Sequence, residues 1–188
     1  MPIPPIVDAI ESQVIASVKT QTQLHKAASS RSNIVFLLDE DVFTIERSVK
    51  LLQKHHKKVF IHMDLIEGID SSKKALTYAV DLWGIDGIIS TRSSMIKYAK
   101  QSGTMAIQRL FAIDQGAVAK GIEKIDGADA VEILPGVIPK VIKTVTEKTA
   151  VPIIAGGLIE NETEIHDALR AGALAVSVSN KNLWNTSL

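Results

Sequence analysis

The sequence predicts an α/β fold of the TIM type, an eight-stranded parallel (β/α)8 barrel pared down to short first and last helices. Eight short runs rich in β-branched residues recur along the 188-residue chain, and their first residues lie 18 to 28 positions apart. That spacing accommodates one strand and one crossover helix, which is the connection a parallel sheet needs. The regular repeat and the count of eight favour a closed barrel over an open doubly wound sheet. Because no linker or low-complexity tract interrupts the pattern, residues 1–188 are expected to form a single barrel domain.

The eight predicted strands are apolar on both sides except near their C-terminal ends, as expected when helices cover one face and a filled core the other. Their predicted bounds are Val14–Val18, Ile34–Leu38, Val59–Leu65, Gly87–Thr91, Met105–Leu110, Ala128–Leu134, Val151–Ala155 and Ala173–Ser177.

The segments between the strands have helical periodicity. One apolar stripe, at i, i+3, i+7 and i+10, consists of Val42, Ile45, Val49 and Leu52. Before the seventh helix, Asn161 and Glu164 have the spacing of a capping box, and Gly172 is expected to end that helix.

The chain is short for this fold, which usually needs at least about 200 residues. Only 15 residues separate the first two predicted strands, and about ten follow the eighth. The sequence therefore predicts a poor first helix and at most one turn for the last helix.

Composition excludes several classes of protein. The chain has no cysteine, which excludes disulfides, thiolate zinc sites and a cysteine nucleophile. No apolar run is long enough for a membrane span, and the N-terminus lacks the pattern of a secretion signal, so a cytoplasmic protein is expected. With 21 basic and 21 acidic residues, the formal charge is zero, which counts against a large, non-specific nucleic-acid surface.

Polar side chains gather at the C-terminal ends of the predicted strands, where parallel α/β barrels have their functional face. Lys19 and Asp39 follow the first two strands directly. The expected ligand pocket comprises Lys19, His62, Asp64, Arg92, Gln108, Arg109 and Glu132. The pairs His62–Asp64 and Arg109–Glu132 fit acid–base catalysis, but they also fit structural bracing, so no residue is assigned a catalytic role. No histidine pattern suggests a metal site.

The loops after strands seven and eight predict a phosphate site. Gly156 and Gly157 bring bare backbone to the end of strand seven, and Asn180 is placed to cap a short turn after strand eight. Barrels commonly bind phosphate here with backbone N–H groups and the start of a short extra helix. The expected phosphate-binding residues are Gly156, Gly157, Ser177, Ser179 and Asn180; a merely structural turn is the alternative.

The run Lys54-His55-His56-Lys57-Lys58 precedes strand three and lies at the opposite end of the barrel. Its cations fit a solvated helix end, where they complement the helix dipole. They also fit an anion or RNA contact.

Several motifs, taken in order from about Ile15 to Trp184, resemble the glycerol-3-phosphate-responsive antiterminator family of bacterial glycerol operons. They are Val59–Gly68, Gly87–Arg92, Ile107–Phe111, Val131–Gly136 and Pro152–Ile159. The resemblance implies a barrel that senses glycerol 3-phosphate and acts on the leader mRNA of glycerol-utilisation genes, with no cofactor.

By matching position, the resemblance assigns the phosphate to Gly156, Gly157, Ser179 and Asn180. It offers Asp64, Arg92, Gln108 and Glu132 for the glycerol hydroxyls or for holding the mouth of the barrel. The sequence departs from the family pattern at Val178, where a threonine is expected, and at Asp114-Gln115, where Asp-Ser is usual. The valine would remove one hydroxyl near the phosphate.

Two functions from different classes stay open. The first is a regulatory RNA-binding protein; its RNA contact must be local, with candidates Lys54, Lys57, Lys58, Lys97, Lys100, Lys120, Lys140 and Lys143. A homodimer would double such a contact. The second is an enzyme on a small phosphorylated metabolite, such as an isomerase, aldolase or phosphodiesterase. A family member that keeps the fold and phosphate site without regulating is a third interpretation.

Overall fold

The computed structural model describes residues 5–125 and 127–188, and they contain a closed barrel of eight parallel strands, which confirms the predicted fold class. Each barrel strand pairs with the next one along the chain, and the last pairs with the first. The strands are β1 (Val14–Val18), β2 (Ile34–Leu37), β3 (Lys58–His62), β4 (Gly87–Ser90), β5 (Met105–Phe111), β6 (Ala130–Leu134), β7 (Ile153–Gly156) and β8 (Ala175–Val178).

Helices alternate with these strands. They are α1 (Pro5–Ala9), α2 (Gln21–Ala28), α3 (Ile45–Lys54), α4 (Lys73–Tyr78), α5 (Ser93–Gln101), α6 (Gln115–Ile122), α7 (Pro139–Thr146) and α8 (Glu162–Arg170). A π-helical segment, Ala79–Trp83, extends α4. The predicted capping box is confirmed at the start of α8, where the side chains of Asn161 and Glu164 each accept from the other's backbone N–H.

Of the two predicted economies in length, the structure has the one after the last strand, whereas the first crossover helix is of ordinary length for this barrel. The last strand is followed by a single 3-10 turn, Lys181–Leu183. The first crossover helix, α2, has eight residues, and Thr20 caps it by accepting from the Gln23 amide. Because α6 and α7 also have eight residues, α2 is short without being poorer than its neighbours.

Two apolar clusters hold the barrel together. The outer cluster packs the outward side chains of the strands against the helices. The inner cluster fills the barrel with residues such as Ile15, Phe36 and Phe60. Ile6 and Ala9 of α1 are buried in the inner cluster, so this helix closes the N-terminal end of the barrel.

Strand alternation determines which polar side chains enter the barrel. Above the inner cluster, the inward positions of β1, β5, β6 and β8 carry Ser17, Arg109, Glu132 and Ser177, all of them buried. The next inward positions lie at the C-terminal ends of the strands, and the candidate site opens there.

Candidate functional site

A cavity of about 420 Å³ lies at the C-terminal ends of the strands. That volume is within the usual range for a small-molecule site. Its lining includes Lys19, Arg109, Glu132, Gly157, Ser177 and Ser179, all of which the sequence predicted for the site. The other lining residues are Ser17, Leu38, Asp39, Leu65, Glu67 and Leu134.

The floor of the cavity is a buried ion pair with a third partner. Arg109 Nε lies 2.6 Å from Glu132 Oε2, and the two residues are directly opposed on the neighbouring strands β5 and β6. Ser177 Oγ donates to the other carboxylate oxygen, Glu132 Oε1, at 2.6 Å. Both oxygens of Glu132 are therefore bonded, as a buried carboxylate requires.

Gly156 makes room for this network. A Cβ at Gly156 would overlap Ser177 Oγ and would lie 2.7 Å from Glu132 Oε1, which is closer than non-bonded carbon and oxygen atoms approach each other. A physical reason for glycine at this position is thus the packing of Glu132 and Ser177, independent of any ligand.

The loops after β7 and β8 present free backbone amides. Within residues 5–125 and 127–188, no acceptor receives the N–H groups of Gly157, Leu158, Ser179 or Asn180. Gly157 and Leu158 both have positive φ angles, 78° and 63°. For Leu158 that conformation costs about 1 kcal/mol, and such strain is concentrated at functional sites.

Polar groups differ between the two sides of the cavity. Lys19 follows β1, which adjoins β8 in the barrel, and Gln23 links these two strand ends. The Gln23 side chain accepts from the Lys19 amide at 2.8 Å and donates to the Ser179 carbonyl at 3.1 Å. On the β2–β3 side, the carboxylates of Asp39 and Glu67 line the cavity instead.

Asn180 fixes the turn after β8, as the sequence predicted. Its Oδ1 accepts from the Asn182 amide at 3.1 Å, and its Nδ2 donates to the Glu160 carbonyl in the loop after β7. Buried Trp184 donates from Nε1 to the Val178 carbonyl at 2.8 Å. The two loops are thereby held together, while the Asn180 side chain is occupied by these contacts.

His62 is buried beside the ion pair and does not line the cavity. Burial, with the nearby charge of Arg109, lowers the pKa of His62 to about 4, although Asp64 acts in the opposite direction. In the described part of the chain, Nδ1 of His62 has no hydrogen-bond partner. The imidazole is therefore neutral at physiological pH.

Asp64 braces the strand ends and lies outside the cavity lining. β3 ends at His62, and Asp64 belongs to the 3-10 turn that follows, so strand alternation does not set the direction of its side chain, although it lies close enough to His62 for their charges to interact. It accepts from Ser90 Oγ at 2.8 Å and from the Thr91 amide at 2.7 Å. Burial alone would raise the pKa of Asp64, but the hydrogen bonds from Thr91 and Ser90 outweigh it and lower the pKa. Arg92 lies near Asp64, with Nε 3.8 Å from Oδ1, and is mostly exposed.

Two further residues point away from the cavity. Gln108 neighbours inward Arg109 on β5, so it faces the helices, where its Nε2 donates to Ser93 Oγ at 3.3 Å. Val178 is buried in the outer cluster. The missing threonine hydroxyl at this position would therefore not face the phosphate loops.

Two other lining residues, Ser17 and Glu67, differ in whether the sequence pattern could have placed them in the cavity. Ser17 is two positions from Ile15 on β1, so period-two alternation identifies it as inward. Glu67 has no such signal, because it belongs to a two-residue strand, Ile66–Glu67, that pairs with Glu40–Asp41 outside the barrel.

The described residues hold no group of three or more histidine, aspartate or glutamate side chains arranged to bind a metal ion. None of their helices is long and apolar enough to cross a membrane.

The chain is similar to a protein family and to several individual proteins. The family model for glycerol-3-phosphate responsive antiterminators matches residues 14–184. A glycerol uptake operon antiterminator regulatory protein from Listeria monocytogenes str. 4b F2365 is 37% identical, with a TM-score of 0.89, and the match covers 93% of this chain and 95% of that one. A glycerol uptake operon antiterminator-related protein from Thermotoga maritima MSB8 is 34% identical, with a TM-score of 0.81 and coverage of 91% and 96%. The uncharacterized protein YgcP of Escherichia coli (strain K12) is 36% identical over 176 residues, 93% of this chain and 92% of YgcP.

Proposed function

The chain belongs to the glycerol-3-phosphate responsive antiterminator family, and from this premise we propose that it is an effector-controlled RNA-binding regulator. In this proposal it binds glycerol 3-phosphate in the cavity at the mouth of the barrel and acts on the leader mRNA of glycerol-utilisation genes. No catalytic step and no cofactor are part of the proposal.

The observation that carries the proposal is the set of free amides beside the cavity. The N–H groups of Gly157, Leu158, Ser179 and Asn180 are placed on the two adjacent loops where barrels hold phosphate. Charge-assisted hydrogen bonds from such amides contribute about 1.5–3 kcal/mol each. The Lys19 ammonium, on the same side of the cavity, supplies the positive charge.

The opposite side of the cavity suits the glycerol end of the ligand. Asp39 and Glu67 offer carboxylate oxygens, which accept hydrogen bonds from hydroxyl groups and repel a phosphate. The ligand is therefore oriented with its phosphate toward β7, β8 and β1, and its hydroxyls toward β2 and β3.

The contacts of Glu132 favour a binding role over proton transfer. Arg109 Nε and Ser177 Oγ each donate to one of its oxygens, so a proton from a ligand would have to compete with two donors already in place. Glu132 serves in this proposal to hold Arg109 and Ser177 at the floor of the site.

The RNA contact is assigned to lysines without an ion-pair partner. Lys100 is paired with buried Asp129 and Lys143 lies 4.0 Å from Glu147, whereas Lys54 and Lys58 make no ion pair among the described residues. Lys97, Lys120 and Lys140 make none either, but the run from Lys54 to Lys58 gathers its cations in one segment, where Lys57 Nζ donates to the Ser30 carbonyl. This run lies at the end of the barrel opposite the cavity. RNA binding there would be local and salt-sensitive, since each phosphate contact releases counterions.

The test is a titration of a labelled leader transcript with the protein, at fixed low salt, with and without glycerol 3-phosphate. We expect RNA affinity to change at least tenfold with the ligand, which corresponds to about 1.4 kcal/mol of coupling. Glycerol and inorganic phosphate are the matched control ligands. RNA binding that is absent in both conditions would overturn the regulatory proposal, and turnover of glycerol 3-phosphate or triose phosphates would favour an enzyme instead.

A further inference from the structure

The face of the barrel that carries the cavity also carries most of the exposed apolar side chains. Among the described residues, eight large hydrophobic side chains are exposed, and five of them lie at or beyond the C-terminal ends of barrel strands. These five are Phe43, Leu65, Phe111, Ile113 and Leu158. Apolar side chains concentrated on one face and surrounded by polar residues indicate an interaction surface.

Phe43 is the most exposed of them, at 92%, and the local turn fixes its position. Asp41 Oδ1 accepts from the Phe43 amide at 2.7 Å and from the Thr44 amide at 3.0 Å. Thr44 Oγ1 in turn donates to Glu40 Oε2 at 2.7 Å. The phenyl ring therefore projects from an ordered turn, so little backbone entropy would be lost if a partner covered it.

A groove of matching chemistry lies on the other side of the barrel, between α6 and α7. It has a volume of about 590 Å³ and an apolar lining that includes Ile113, Val118, Ile138 and Val141. From α6, Ala119 contributes only a methyl group to this lining, beside the larger Val118. Its upper end begins at Ala112, directly after β5, and so opens on the same face as Phe43.

The charges around the two features are complementary. The turn that carries Phe43 is acidic, with Asp39, Glu40 and Asp41. The groove is bordered by Lys140 and Lys148, which make no ion pair within the described ranges. The one carboxylate at the groove, Asp114, is engaged by the Ala117 amide at 2.7 Å.

We propose that this face is the interface of a two-fold dimer, in which Phe43 of each copy occupies the groove between α6 and α7 of the other. Because the groove reaches this face at its upper end, two copies that face each other about a two-fold axis would each bring the Phe43 ring toward the partner's groove. The contact is then isologous and closes at two copies. The zero net charge of the chain offers no general repulsion against self-association.

The test is sedimentation equilibrium of the full chain over a range of concentrations. We expect the wild type to sediment as a dimer, at twice the 20.4 kDa of one chain. Phe43→Ser is expected to raise the dimer Kd at least about tenfold, because a buried aromatic anchor dominates such interfaces. The matched control is Leu82→Ser, which removes another exposed hydrophobic side chain, outside the five on the cavity face, and should leave the Kd unchanged.

A second variant tests the groove itself. Ala119 is exposed in the groove, and Ala119→Trp should fill it and also weaken the dimer. A mixture of Phe43→Ser with Ala119→Trp retains one intact ring-and-groove contact, so it should associate more tightly than either variant alone. A wild type that stays monomeric, a Phe43→Ser variant with wild-type Kd, or a mixture no tighter than its components would each overturn the proposal. Thermal melting curves of both variants establish that they are folded.

Discussion

Arg109 and Glu132 form a buried ion pair across two neighbouring strands, with 8% and 2% of their side chains exposed. The pair lies between the apolar filling of the barrel and the cavity above it. Ser177 completes the bonding of the carboxylate from a third strand, so one network links β5, β6 and β8. The stability of the site and the shape of the cavity floor depend on the same three side chains.

Glu132→Gln should destabilise the protein by about 3–5 kcal/mol, because it leaves the Arg109 guanidinium buried without a counter-charge. The free energy of unfolding, from urea titration, measures the effect. Glu147→Gln is the matched control; it removes an exposed carboxylate 4.0 Å from Lys143 and should change stability by no more than about 0.5 kcal/mol. Equal stabilities of the two variants would contradict the role given to the buried pair.

Gly156→Ala should cost about 1–3 kcal/mol, since the added methyl group overlaps Ser177 Oγ and Glu132 Oε1. The expected damage is structural and should appear without any ligand. For comparison, Gly116→Ala adds a methyl group on an exposed turn of α6, where the nearest contact is 3.3 Å from Asp114 Oδ1. We expect that variant to be neutral or stabilised by up to about 1 kcal/mol. A Gly156→Ala protein as stable as wild type would disprove the packing explanation.

Saturating glycerol 3-phosphate should stabilise the wild-type protein by about 2.7 kcal/mol at 100 times its Kd. Lys19→Gln should weaken the binding roughly tenfold, because one charge-assisted contact to the phosphate is lost. Lys143→Gln, on the outer surface of α7, removes a similar charge and should bind the ligand normally. Thermal unfolding curves at several ligand concentrations give both the stabilisation by the ligand and its Kd. If Lys19→Gln and Lys143→Gln respond alike, the proposed position of the phosphate is wrong.

His62 should make stability fall as the pH falls from 6.5 to about 4. Above pH 6.5 the imidazole is neutral in both folded and unfolded states. Below it, the unfolded chain binds a proton that the folded chain accepts only near its lowered pKa of about 4. Each pKa unit corresponds to about 1.4 kcal/mol, so the loss reaches at most about 3 kcal/mol.

The check is the difference in unfolding free energy between wild type and His62→Leu as a function of pH. Subtracting the two profiles cancels the carboxylates that titrate in the same range. If this difference in unfolding free energy stays constant between pH 4 and 7, the burial of a neutral His62 does not cause the change of stability with pH in that range.

The sequence predicted the eight strands and the loops after β7 and β8 because periodicity and glycine placement are local signals. It could not predict how a strand ends. Strand alternation predicts His62 and Asp64 on one face of the strand, but β3 stops at His62, and Asp64 belongs to a 3-10 turn in which it bonds Ser90 and Thr91.

Side-chain packing was likewise beyond the sequence pattern. The sequence predicts close approach of a phosphate at Gly156, and the structure adds a packing reason for glycine that the pattern does not contain, the crowding of Glu132 and Ser177 where a Cβ would lie. Gln108 and Arg109 are consecutive on β5, so their side chains point to opposite sides of the strand. Arg109 lines the cavity inside the barrel, whereas Gln108 lies outside it, beneath the helices. The apolar groove between α6 and α7 arises from two helices meeting, which no single segment encodes.

The most direct test of the central claim is a titration of isotopically labelled protein with glycerol 3-phosphate, followed through the backbone amide signals in NMR spectra. The account predicts that the amides of Gly157, Leu158, Ser179 and Asn180 shift together and saturate with one Kd, and that glycerol alone leaves them in place. Shifts confined to other residues, or none up to millimolar ligand, would contradict it.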